Sequence, residues 1–273
     1  KNAMPPLHRY LGNPVLSIIG LVFYRTPVGD FHCGLRGFSR AAITGLKLNA
    51  PGMEFASEMV IKATLIGLKI TEVATTLSPD GRTRPPHLRS WRDGWLHLKL
   101  LLTFAPYWLF YYPGLVMLGV GTTIFTALMF GPLQIGGVTF DIASMILASA
   151  LIMTGFQMVC FYGLARIFAV RFGLLPTSPD FKRLREKISV DNACILGATF
   201  LLGALVATVG AIVFWGQSGF GDLNPSAIVR PASLAVVCAA LGVQTITSGF
   251  LWGVLNQKVE DEPKSKIFKA LAA

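Results

Sequence analysis

Apolar and polar positions interleave over residues 1–105, then separate into long uncharged runs divided by short charged islands. A bilayer crossing needs about 20 consecutive apolar residues. Four stretches meet that length: Pro106–Phe130, Ile142–Val170, Ala193–Trp215 and Ala232–Asn256. Pro14–Tyr24 is as apolar but too short to cross, and predicts a buried or membrane-grazing helix.

The interleaved part predicts smaller elements. Phe31–Phe38 alternates apolar residues with glycine, as a short strand entering a loop would. Ser39 is placed to cap a helix running through Leu46. Met53–Leu68 carries one apolar helical stripe (Ala56, Met59, Val60, Ala63, Gly67), with Gly67 near its C-terminal cap. Glu54 and Glu58, four apart, share a face of that helix. Lys69–Leu77 is β-branched and predicts a strand, and Pro79–Pro86 a loop. In Ser90–Thr103, Trp91, Trp95, Leu98 and Leu102 fall on one face, and Arg92, Asp93 and Lys99 on others. Tryptophan beside flanking cations marks an interfacial helix. The expected fold class is an α/β domain followed by an all-α membrane domain of four transmembrane helices. The expected divisions are 1–89 (α/β), 90–105 (interfacial helix), 106–257 (membrane) and 258–273 (basic tail).

Composition agrees with two environments. Charged residues make up 14% of the chain and apolar ones 53%, against about 25% charged in a soluble domain. The net charge of +10 does not favour a nucleic-acid partner, because no zinc spacing, helix-turn-helix or RNA-binding aromatic signature accompanies it. Anionic headgroups attract such basic segments equally well. Arg166–Lys187 carries six Lys or Arg and Lys258–Lys269 four, whereas Gly131–Asp141 has none and Gly216–Pro231 only Arg230. The positive-inside rule then places the first domain, the middle basic loop and both chain ends in the cytoplasm. Cys33, Cys160, Cys194 and Cys238 form no metal-ligand or disulfide pattern. No signal peptide is evident, and a start at Lys-Asn rather than Met predicts a fragment.

Several residues are candidates for chemistry. In Asp30–Arg36 (DFHCGLR), Asp30 and Arg36 could serve an active site, Gly34 could let the backbone approach a ligand, and Arg36 offers a planar fork for phosphate oxygens. A surface Asp–Arg pair beside a turn fits the spacing as well. Glu58 could do acid–base work or orient an arginine, or simply pair with Lys62 four residues on; Glu54 fits a solvated helix face. Arg82, Arg84, His87 and Arg89 share the Pro-rich loop, as a basic flap over phosphate or as a surface drawn to lipid. His32 is a weak acid–base candidate, and His8 and His97 fit interfacial polar positions. No ionisable residue lies deep within a span, which argues against a pump. Gly197, Gly203, Ala204, Ala207, Gly210 and Ala211 suit close helix packing.

Taken together, Gly12-Asn13-Pro14, the D-x-x-C-G-L-R of Asp30–Arg36, the G-M-E-F-A-S-E-M of Gly52–Met59 and the S-W-R-D-G-W of Ser90–Trp95 resemble the later half of membrane-bound family 2 glycosyltransferases. The nearest type is the dolichol-phosphate mannose synthase-like, or polyprenyl-phosphate glycosyltransferase, group. The resemblance implies a GT-A fold that moves a hexose from a nucleotide-sugar to a polyprenyl phosphate, with inversion. It implies that Asp30 lies near sugar and acceptor, and Arg36 near phosphate, as catalytic residues. Gly34, Glu58, Arg82, Arg84 and Arg89 are then the substrate-binding candidates. The acceptor-side loop departs from the group's Ser-Lys-Leu-like stretch, with Pro-Pro-His-Leu-Arg in its place. No Asp-x-Asp occurs in the chain, so the divalent metal (Mg or Mn) is expected to be held mainly by residues before Lys1, and this fragment to be inactive alone. The expected partners are the nucleotide-sugar, the polyprenyl phosphate and the bilayer. Two other classes compete. A non-enzymatic transporter or flippase-like protein for lipid-linked sugars would explain the spans but not the DFHCGLR segment. A processive polysaccharide synthase would carry Q-x-x-R-W, of which Ser90-Trp91-Arg92 is a faint echo.

Overall fold

The computed structural model describes residues 10, 12–31, 33–52, 54–76, 90–217, 219–221 and 225–257. The chain is mostly helical. Before the membrane helices come α1 (Asn13–Tyr24), α2 (Arg40–Gly45), α3 (Phe55–Leu65) and α4 (Ser90–Thr103). Local chemistry explains their ends. Pro14 opens α1, where a missing N–H costs nothing. Ser39 Oγ accepts the Ala42 amide and starts α2, as the sequence predicts. Gly67 closes α3 in the left-handed region (φ +76°), with Leu68 N–H donating to Ala63 O at 2.9 Å.

The two predicted strands are not formed among the described residues. Over residues 33–39 the backbone is irregular, because the carbonyls of Phe31 and Cys33 accept from the Arg36 side chain rather than from a neighbouring strand. The β-branched run from Lys69 finds no ladder partner over its described part, 69–76. The one sheet among the described residues is instead a hairpin in the loop between the first two spans. There β1 (Leu133–Ile135) pairs with β2 (Val138–Phe140) through Gly136-Gly137, both at positive φ.

Four helices are long and apolar enough to cross a membrane: Tyr107–Met129, Ile142–Arg171, Val190–Gln217 and Ala227–Asn256. They match the expected spans, and the protein is a multi-pass membrane protein. The first begins with a π-helical turn (Tyr107–Tyr111) leading into α5 (Tyr112–Met129). The next three are α6 (Ile142–Arg171), α8 (Val190–Gln217) and α9 (Pro225–Asn256), with α7 (Pro179–Lys187) on the basic loop between α6 and α8. The last helix starts earlier than predicted, so Arg230 and Pro231 lie inside it; Arg230 Nη2 donates to Asp141 Oδ1 at 2.8 Å at the foot of α6. Packing pairs α5 with α6 and α8 with α9, and α6 with α9 joins the pairs. Glycines let the backbones meet: a Cβ on Gly155 would sit 2.6 Å from Leu118 N, and one on Gly197 2.8 Å from Gly242 O. Large apolar side chains such as Leu202, Leu205 and Val206 point outward on α8, as lipid-facing residues do.

A separate core joins the first part to the basic end of the bundle. Tyr24, Phe31, Ile61, Leu101 and Phe104 pack there with Ala169 and Leu175 from the end of α6 and beyond. On α4, Trp91 and Trp95 are 82% and 60% exposed while Leu101 is buried, so the tryptophans face outward as an interfacial helix requires.

Candidate functional site

The Asp30–Arg36 segment is held from three sides. Glu72 Oε1 accepts the amides of Gly29 at 2.9 Å and Asp30 at 3.2 Å. Phe31 is fully buried, its ring seated where Gly20 of α1 leaves no side chain; a Cβ there would lie 2.6 Å from the ring. Arg36 reaches back over its own loop: Nε donates to Cys33 O at 2.8 Å, one Nη to Phe31 O at 2.7 Å, and the other to Ala56 O in α3. Burial pulls the Arg36 guanidinium below its usual value, and Cys33 and Asp30 push it back; it stays cationic. The result is a stiff loop with the Asp30 position on its exposed side.

The sequence candidates thus divide. Asp30 and Arg36 are brought together electrostatically on one loop. Three of Arg36's five N–H donors serve backbone carbonyls, so its first role is to shape the loop. Gly34 is exposed, and a Cβ there would meet nothing within 4 Å. Glu58 is buried 4 residues from its partner Lys62, at 2.7 Å. Its carboxylate also accepts the amides of Asn49 and Ala50, and Lys62 Nζ donates to Lys47 O at 2.7 Å. Burial alone would raise the Glu58 pKa, but Lys62 and the two amides outweigh it and hold it below the usual value. Glu58 is therefore an ionised clamp on the 47–50 loop. Arg82, Arg84 and Arg89 lie outside the described residues, as do His8, His32 and His87.

Other residues took part unannounced. His97, expected at the interface, is buried in α4, where Nδ1 and Ser57 Oγ of α3 share a 3.0 Å hydrogen bond. Burial lowers its pKa, with Glu54 and Asp93 acting the other way. Glu54 Oε2 is buried with no hydrogen-bond partner among the described residues. Glu72 and Ser57 gave no sequence signal, since their partners are 43 and 40 residues away. No group of three or more His, Cys, Asp or Glu among the described residues could hold a metal.

Residues 163–256 match the family described as the glycosyltransferase family 2 C-terminal transmembrane region. The chain is 35% identical over 258 residues to the low-salt glycan biosynthesis hexosyltransferase Agl6 of Haloferax volcanii. That likeness covers 93% of this chain and 60% of the relative, so the chain spans little more than half of it. No solved structure matches the chain.

Proposed function

We propose, from the chain's likeness to the family 2 C-terminal transmembrane region and to a glycan biosynthesis hexosyltransferase, that it is part of a membrane-bound family 2 glycosyltransferase moving a hexose from a nucleotide-sugar to a polyprenyl phosphate, with inversion, at the cytoplasmic membrane face. One observation carries the proposal: a stiff loop presenting Asp30 shares a core with an interfacial helix and with the basic end of four membrane spans. A site so placed is within reach of both a water-soluble donor and a lipid phosphate.

In this reaction a phosphate oxygen of the acceptor bonds to the anomeric carbon. The bond from that carbon to the donor's diphosphate breaks, and the nucleoside diphosphate leaves with the electron pair. The acceptor phosphate has a second pKa near 6, so it is largely ionised at neutral pH and needs positioning more than a strong base. Asp30 orients the sugar or assists the acceptor. Arg36 keeps the loop in shape and adds positive charge beside it. Arg82, Arg84 and Arg89 supply charge for phosphate. A divalent metal would neutralise the leaving diphosphate; among the described residues no group of three or more His, Cys, Asp or Glu could hold it. A GT-A α/β arrangement fits if the 69–76 run pairs with strands beyond the described residues.

The test uses the full-length protein in membranes, with labelled nucleotide-sugars, polyprenyl phosphate, and EDTA in a parallel sample. Metal-dependent label in the organic phase supports the proposal. No transfer from any common donor to folded protein would shift the function to transport.

A further inference from the structure

Three consecutive residues in the first turn of α3 each hold a different neighbour. Ala56 O accepts from Arg36, and the Glu58 carboxylate takes the amides of Asn49 and Ala50. Between them, Ser57 Oγ reaches α4, where it shares a 3.0 Å bond with His97 Nδ1. Ser57 and His97 are 1% and 7% exposed, so water does not stand in for either partner. A hydroxyl and an imidazole enclosed in an apolar core are costly unless paired, and the pair fixes one seating of the two helices. One turn further along α4, Leu101 O accepts from the buried Tyr24 hydroxyl of α1.

The two helices that α4 grips are the two that support the Asp30–Arg36 loop. α1 seats Phe31 beside Gly20, and α3 holds Arg36 through Ala56. On the other side of α4, about 200° round from His97, Trp95 is 60% exposed on the interfacial face. We propose that His97 is a positioning residue for the Asp30 loop: its bond to Ser57 sets α3, and with it Arg36, against the interfacial helix. The loop then keeps a fixed height and tilt relative to the headgroup layer. This role rests on the loop being the site of transfer, but its first readout needs no turnover.

Protonation supplies a signature. Burial holds the His97 imidazole below its ordinary value of about 6.5, against the pull of Glu54 at the start of α3 and Asp93 on α4. Tyr24, which α1 turns towards α4, is kept neutral by burial. The docked helices therefore prefer the neutral ring, and the dock weakens as pH falls below about 6.5.

The experiment follows hydrogen exchange in the full-length enzyme in nanodiscs between about pH 5 and 8. It reads the Gly29 and Asp30 amides, which donate to Glu72 Oε1, with the amides of α8 as reference. Ser57→Ala and His97→Leu should each speed exchange at Gly29 and Asp30 about tenfold at neutral pH, leave α8 unchanged and lower turnover. His97→Asn places an amide where Nδ1 lies; it should stay near wild type and lose the acid-side weakening. Unchanged exchange at Gly29 and Asp30 in Ser57→Ala and His97→Leu would overturn the proposal. Equal acceleration of α8 would reduce the pair to general stability and overturn it too, as would a His97→Asn no better protected than His97→Leu. Local acceleration in an enzyme that transfers no hexose would uphold the positioning and remove the assigned reaction.

Discussion

Replacing Arg36 by Lys separates shape from charge in the Asp30–Arg36 loop. Arg36 makes three hydrogen bonds to carbonyls, of Phe31, Cys33 and Ala56. Each such bond from a charged donor is worth about 1.5 kcal/mol at the lower end of its range. Lysine, with one nitrogen, keeps one of the three without its planar fork. The loss is then about 3 kcal/mol of local stability, or about two orders of magnitude in the opening equilibrium. Hydrogen exchange of the Gly29 and Asp30 amides, which donate to Glu72 Oε1 at the start of the same loop, reads this opening, and turnover of the full-length enzyme reads its consequence. Arg36→Lys should speed exchange about a hundredfold and lower turnover although the charge remains. Unchanged exchange in Arg36→Lys would refute the clamp, and unchanged turnover with faster exchange would detach loop shape from catalysis.

Further outcomes follow from the same geometry. Glu58→Gln breaks a buried ion pair and should cost about 3 kcal/mol by thermal unfolding. Because the folded pKa of Glu58 is lowered, its contribution is full above the ordinary carboxylate value of about 4.3 and lost as pH falls through the folded value. Wild-type stability should therefore fall more steeply than that of Glu58→Gln below about pH 4. His97 has the opposite protonation habit: burial keeps it neutral, so the unfolded chain takes up its proton first and stability falls as pH drops below about 6.5. His97→Gln should flatten that slope in melts between about pH 6.5 and 5. Gly155→Val should destabilise the α5–α6 pair by at least about 2 kcal/mol in detergent, since its Cβ meets Leu118 N at 2.6 Å. Gly203→Val, with nothing within 4 Å, should be neutral.

The helices were legible because their signals are local. Length and apolarity fixed the four spans, Ser39 marked the start of α2, and Gly67 the end of α3. The β-hairpin was not predicted, although Gly136-Gly137 between Leu133–Ile135 and Val138–Phe140 is a two-residue turn signal. Strand propensity found no ladder among the described residues at 33–38 and 69–76, because a strand is made by its partner, and Phe31 and Cys33 give their carbonyls to Arg36. At the candidate site, DFHCGLR marked a segment that Glu72 and Arg36 hold in shape. What it hid was the division of labour, because Glu72, Ser57 and His97 reach their partners only through the tertiary fold. Burial likewise converted Glu58 from an acid–base candidate into a clamp.

The most direct measurement of the account is the single-turnover rate of hexose transfer to polyprenyl phosphate by full-length wild type and Asp30→Asn in matched membranes, with loop protection followed by hydrogen exchange. The account predicts a loss of at least about a hundredfold in Asp30→Asn while the loop stays protected. Unchanged turnover in that variant would contradict the placement of the chemistry on this loop.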